Sequence, residues 1–164
     1  MKLPLFITLA LATLPALALD AACEPFVKAA EKSAEQPARH NVTVVGEGLR
    51  NEAIIKDGQM YMQLDGRWRK GPSTFSASEK KINAEMRSGK IKLSNCQKLG
   101  SETVDGVATT VYRYDMQIPE MGSFGTQTGA KVYIGDDGLI HAQATDDTKV
   151  RIRYTGVSVP KIGP

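Results

Sequence analysis

Four times in this chain an Asp-Gly pair stands between short segments in which apolar and polar residues alternate: Asp57-Gly58, Asp65-Gly66, Asp105-Gly106 and Asp137-Gly138. Asp-Gly suits the two-residue hairpin turn, whose central positions both need a positive φ that Gly adopts freely and Asp tolerates. The first two pairs mark a meander, with Glu52 to Lys56, Gln59 to Leu64 and Arg67 to Lys70 as successive strands. Asp105-Gly106 joins Gln97–Val104 to Ala108–Ile118. Asp136-Asp137-Gly138 and Asp146-Asp147 separate Lys131–Gly135, Leu139–Thr145 and Lys149–Val159, and Asn41 to Gly46 carries a Val42, Val44, Val45 cluster. The alternation sorts the faces. Tyr112, Tyr114, Met116 and Ile118 share one side of their strand, opposite Arg113, Asp115 and Gln117; Val150, Ile152 and Tyr154 oppose Lys149, Arg151 and Arg153; Met60, Met62 and Leu64 oppose Tyr61, Gln63 and Asp65. One face covered and one wet is the pattern of an antiparallel sheet.

Two segments depart from period two. From Glu24 to Gln36, Phe26, Val27, Ala30 and Ala34 recur at helical spacing until Pro37 ends the run. Ser76 to Arg87 reads as a second helix, with Ser76 as cap, Glu79 at the capping-box position, and Ile82 and Met86 as a small apolar stripe. Pro119 to Gly129 reads as a loop. The expectation is one α+β domain over 19–164: a strongly curved antiparallel sheet of about seven or eight strands with an N-terminal helix and one inserted helix on its apolar concave face.

Residues 1–18 read as an export signal, with Lys2 in the n-region, an apolar stretch from Leu3 to Leu14, then Pro15 and the small-x-small Ala16-Leu17-Ala18; cleavage as late as residue 22 is the alternative. No later stretch is long and apolar enough to cross a membrane, so a periplasmic protein with no transmembrane segment in the mature chain is expected. Cys23 follows two alanines, as a lipidated cysteine does, but Asp20 stands where a lipobox needs a large aliphatic residue. Pairing with Cys96, the other of the two cysteines, in an oxidising compartment is the preferred reading, and with no CxxC present the bond reads as structural. The 41% hydrophobic and 24% charged content excludes a disordered tail. A net charge of +3 with interspersed signs excludes the basic block of a nucleic-acid binder.

Sites of chemistry are sparse. His40 and His141 have no triad or metal-set neighbours in sequence, and GxSxG, HExxH and P-loop patterns are absent. Asp136-Asp137 and Asp146-Asp147 offer hard oxygen ligands for calcium, yet they lack the DxDxDG register, and Asp is a turn residue. Met60, Met62, Met116 and Met121 raise copper(I), against which stands ordinary core filling by Met. No catalytic residue, cofactor or metal is therefore assigned. Met121 and Phe124, set among Gly122, Gly125 and Gly129, suggest a lid or a partner contact. Arg67, Arg69, Lys70, Arg151 and Arg153 would form a basic outer stripe if their strands lie close together.

The phrases Met60 to Trp68 (Met-Tyr-Met-Gln-Leu-Asp-Gly-Arg-Trp), Leu99 to Tyr112, Lys131 to Ile140 and the closing Val-Ser-Val-Pro, in this order behind an N-terminal helix, resemble the LolA-like periplasmic half-barrel superfamily of lipoprotein carriers and lipid-binding or sensor domains. The resemblance covers most of the mature chain. It implies an incomplete β-barrel plugged by helices, with an acyl-chain cavity. The chain departs from the carriers in being poorer in aromatic residues. Two functions are compatible with it. One is non-catalytic binding of a hydrophobic small molecule or lipid, with Tyr112, Tyr114 and Met116 lining the concavity and Met121 and Phe124 at its mouth. The other is an immunity or inhibitor protein that blocks a secreted toxin or lytic enzyme through the loop and the basic stripe.

Overall fold

Three of the four Asp-Gly pairs make the expected turn: Asp57, Asp65 and Asp105 have φ of 50°, 50° and 48°, and each following glycine is also positive. At the fourth, Asp137 keeps negative φ and instead accepts a hydrogen bond from the Leu139 amide (2.9 Å), which makes a wider turn. The computed structural model describes residues 19–162; the export signal expected over 1–18 lies outside the described residues.

A 3-10 turn, Ala21–Cys23, leads into α1 (Glu24–Ala34). The strands are β1 (Ala38–Val45), β2 (Leu49–Lys56), β3 (Gln59–Leu64), β4 (Arg67–Lys70), β5 (Lys92–Val104), β6 (Val107–Gln117), β7 (Thr126–Gly135), β8 (Ile140–Ala144) and β9 (Thr148–Arg153), with α2 (Phe75–Arg87) between β4 and β5. All nine form one open, curved antiparallel sheet in the order β4-β3-β2-β1-β9-β8-β7-β6-β5. The architecture is the expected α+β sheet, with nine strands rather than about seven or eight; the expected short strand Arg67–Lys70 is among them, in full register with β3.

Strand ends shift for local reasons. β5 begins at Lys92 rather than Gln97, since a bulge at Asn95 (φ 52°) lets Lys92–Ser94 pair with the end of β6. Part of the expected 119–129 loop is a 3-10 segment, Pro119–Gly125, and the rest opens β7. There Gly129 takes φ 67° and donates its amide to the Asp115 carboxylate (2.6 Å), so the register slips between Tyr114 and Met116. Hydrogen bonds from Asn95 and from the Gly129 amide hold the Asp115 pKa below its ordinary value.

The helices pack on each other and on one face of the sheet. Phe26, Val27 and Ala29 of α1 join Met86, Ile91, Tyr114, Ala130, Val132 and Ile140 in the core, and the Phe26 and Tyr114 rings stack with centroids 4.3 Å apart. The capping box expected on α2 does not form. Thr74 occupies the N-cap without a side-chain bond, Ser76 lies inside the helix, and Glu79 is held by Arg39 from below. Near the other end, Arg87 bridges Glu24 (2.8 Å) and Glu31 (2.6 Å) of α1. Cys23 and Cys96 form a disulfide (S–S 2.00 Å) that fastens the start of α1 to β5 across 73 positions. Among the described residues no helix is long and apolar enough to cross a membrane.

Candidate functional site: a cavity under the helices

Between the helix pair and the sheet lies a cavity of about 410 Å³, walled by Phe26 and Ala30 of α1, Ile82 and Met86 of α2, Met116 of β6, and Val150 and Ile152 of β9. Its volume falls in the usual range for small-molecule pockets, about 300–1,000 Å³. Polar groups reach it from several elements, among them Ser78, Glu79 and Asn83 of α2 and Arg39 and Asn41 of β1. Asn41 stands opposite Ile152 of β9 and Ala53 of β2, so Asn41 and, two residues earlier, Arg39 point to the helix side. Val42 and Val44 run at the other parity, on the outer face, while Val45 shares the parity of Asn41.

Arg39 is 3% exposed and knits three elements together. Its Nη1 donates to the Ser33 carbonyl at the end of α1 (3.0 Å), and its Nη2 donates to both carboxylate oxygens of Glu79 on α2 (2.6 and 2.5 Å). The guanidinium lies 5.9 Å from the centre of the Phe75 ring. Arg39 Nε and Asn41 Oδ1 are buried and have no hydrogen-bond partner among the described residues. Tyr154, also in the lining, donates its hydroxyl to the Ile140 carbonyl (2.8 Å). Burial pushes the phenols of Tyr114 and Tyr154 up to about 12 each.

Of the residues assigned from sequence, Tyr114 and Met116 line this cavity. Tyr112 packs against the core beside it without reaching the wall. Met121 (54% exposed) and Phe124 (93% exposed) sit on the 3-10 segment between β6 and β7, outside the cavity lining. Glu79 was assigned only to a capping box, and Arg39 and Asn41 were not singled out. Their one sequence signal is that Arg39, Asn41 and Thr43 alternate with His40, Val42 and Val44, and the valines favour the opposite assignment of faces.

No family model matches the chain, and no curated protein matches it in sequence. Solved structures do match. The lipoprotein LppX of Mycobacterium tuberculosis aligns with a TM-score of 0.56 at 14% identity, over 85% of this chain and 98% of that one. LprF of Mycobacterium bovis aligns with a TM-score of 0.53 at 12% identity, over 87% of this chain and 97% of that one. The chain shares the fold of these two structures, which is consistent with the LolA-like half-barrel that the sequence resembles.

The outer face of the half-barrel does not carry the expected basic stripe. Register pairs Arg69 with Met62, Met62 with Ala53 and Ala53 with Asn41, which puts Arg67 and Arg69 on the helix side at the β4 edge. Arg151 stands opposite Val42 and Arg153 opposite His40, on the outer side four strands away. The two pairs are separated because β4 and β9 lie on either side of β1–β3, at opposite parity. Arg151 instead pairs with Asp105. Arg153 contacts His40 Nδ1 (3.2 Å), whose Nε2 meets Glu52 (2.8 Å), itself bridged by Arg50. Burial works to raise the Glu52 pKa, but hydrogen bonds from Arg50 and His40 outweigh it and hold the carboxyl below its ordinary value.

The remaining candidates fall into structural roles. His141 meets the Asp137 carboxylate (3.0 Å), and Asp147 accepts from the hydroxyls of Thr145 and Thr148 (3.0 and 3.1 Å). Met60 packs on Gly71, where an added Cβ would come within 3.1 Å of the Met60 side chain. Among the described residues no group of three or more His, Cys, Asp or Glu side chains is placed to hold a metal ion.

Proposed function

We propose that this protein is an exported, non-catalytic binder that holds one hydrophobic small molecule or lipid under the helices of its half-barrel. The observation that carries this reading is the cavity itself: about 410 Å³ of space with mainly apolar walls and a few convergent polar groups. Burying alkyl surface there supplies the affinity, at roughly 25 cal/mol per Å². The resemblance in fold to the lipoprotein LppX supports an extracytoplasmic setting, as do the signal-like residues 1–18 and the disulfide.

The test is native mass spectrometry of the protein purified under non-reducing conditions from the envelope of its own source. The expected result is a population carrying one extra mass of lipid size, removable by organic extraction. A clean apo mass, together with no uptake of added alkyl ligands, would overturn the proposal. The exposure of Phe124 and Met121 favours one second reading, a protein-binding module that works through this tip. Under that reading Phe124→Ser abolishes binding of a secreted toxin or lytic enzyme, while alkyl uptake is absent from the start.

A further inference from the structure

Building on the cavity reading, we infer that the bound molecule carries one uncharged group that both donates and accepts a hydrogen bond, such as a hydroxyl or primary amide. It docks with that group inward on Arg39 Nε and Asn41 Oδ1. Both atoms are buried, and neither has a hydrogen-bond partner among the described residues. They belong to residues two apart on β1 that project from the same face, and both residues line the cavity. One offers a proton and the other a lone pair.

Arg39 is not free to satisfy itself by turning. Its Nη1 is committed to the Ser33 carbonyl and its Nη2 to Glu79, and the planar fork then fixes the direction of the Nε–H bond. A buried donor or acceptor left unmade is costly, so a ligand group that engages both atoms gains more than its alkyl contacts alone provide. The electrostatics select against an anion. Glu79 sets a carboxylate against the Arg39 charge, and the buried Asn41 carbonyl oxygen two residues along β1 has no donor to offset its negative end. An ionised carboxylate would answer Nε but face Oδ1 with like polarity, whereas a hydroxyl or amide answers both. A molecule with its polar group at β1 lays its chain between the apolar side chains of α1 and α2 and those of β6 and β9.

The test is a displacement series on the intact oxidised protein with the neutral fluorophore phenylnaphthylamine in the cavity. The competitors share one chain length and differ at the head: decanol, decanamide, decyl methyl ether and decanoate, in mildly alkaline buffer. Decanol and decanamide are expected to displace the fluorophore at concentrations at least about tenfold lower than the ether or the carboxylate. In Asn41→Leu, which removes an unpartnered polar atom and leaves the Arg39 bonds in place, that preference is expected to vanish while the ether binds as before. Circular dichroism checks that the variant is folded. Equal displacement by all four, or displacement strongest by decanoate (as a reversed Asn41 amide would give), overturns the headgroup assignment and leaves the cavity reading intact. Failure of the wild type to bind the fluorophore and every competitor overturns both.

Discussion

Arg39 is the residue on which the arrangement turns. It is a charged side chain buried to 3% exposure, and its partners come from the end of α1 and the middle of α2. Removing one partner of such a pair leaves the other charged group and a carbonyl without compensation. Arg39→Met is therefore expected to destabilise the fold by about 3 kcal/mol, at the low end for a buried pair because Glu79 keeps some contact with solvent. The double change Arg39→Met with Glu79→Gln should recover part of that loss, and urea denaturation measures both. The tyrosines give a second prediction at this scale. Tyr114 and Tyr154 ionise near 10 when unfolded and near 12 in the fold, so the folded state favours their neutral form. Their contribution is fully present below about 10 and is lost as pH rises from about 10 towards 12, by up to about 2 kcal/mol for each ring. Denaturation midpoints should fall across that window, with tyrosinate absorbance rising late. Little of this was legible in the sequence. Arg39 sits at a strand start beside valines that claim the other parity, and its acidic partner lies 40 positions away in a helix where the local pattern suggested a cap.

Among the elements, α1 shows how far local pattern carries. Its apolar spacing and the terminating Pro37 foretell a helix close to the observed Glu24–Ala34, and the lone cysteine pair foretells its fastening to β5. Closing 73 positions of chain stabilises by about 4 kcal/mol in the loop-entropy account. Reduction, or Cys23→Ser with Cys96→Ser, should therefore lower Tm by roughly 10 °C in a calorimetric scan. The α1–α2 contact adds the Arg87 bridge to Glu24 and Glu31, whose hydrogen bonds raise the Arg87 pKa above its ordinary value. What local pattern could not reveal was the start of β5. Lys92 to Cys96 has no strand-like alternation, and it pairs only because a bulge at Asn95 absorbs the mismatch.

Across the whole molecule, hairpin order was readable because every strand neighbour except β1–β9 and the pair flanking the 3-10 segment is joined by a short connection. The β1–β9 pairing was not. It joins the chain's two halves, and it decides which arginines share a face; without it, Arg67 and Arg69 look as though they could stand beside Arg151 and Arg153. The cavity also depends on that junction, since β1 supplies Arg39 and Asn41 and β9 part of its apolar wall.

An open sheet also has two ends. β4 and β5 each present backbone amides and carbonyls that no neighbouring strand occupies, which is the geometry by which copies of a protein stitch together into fibres. The two rims are guarded differently. β5 is broken by irregular register near Asn95 and again between Lys98 and Gly100, so no straight incoming strand can follow it for long. β4 is regular but only four residues long, and Arg67, Arg69 and Lys70 crowd it with like charge. The basic residues of β4 thus act as gatekeepers against self-stitching. Arg67→Val with Arg69→Val should leave the monomer folded yet start concentration-dependent light scattering at protein levels where the parent stays clear. A cell that makes much of this protein would rely on those two charges to keep it from becoming its own template.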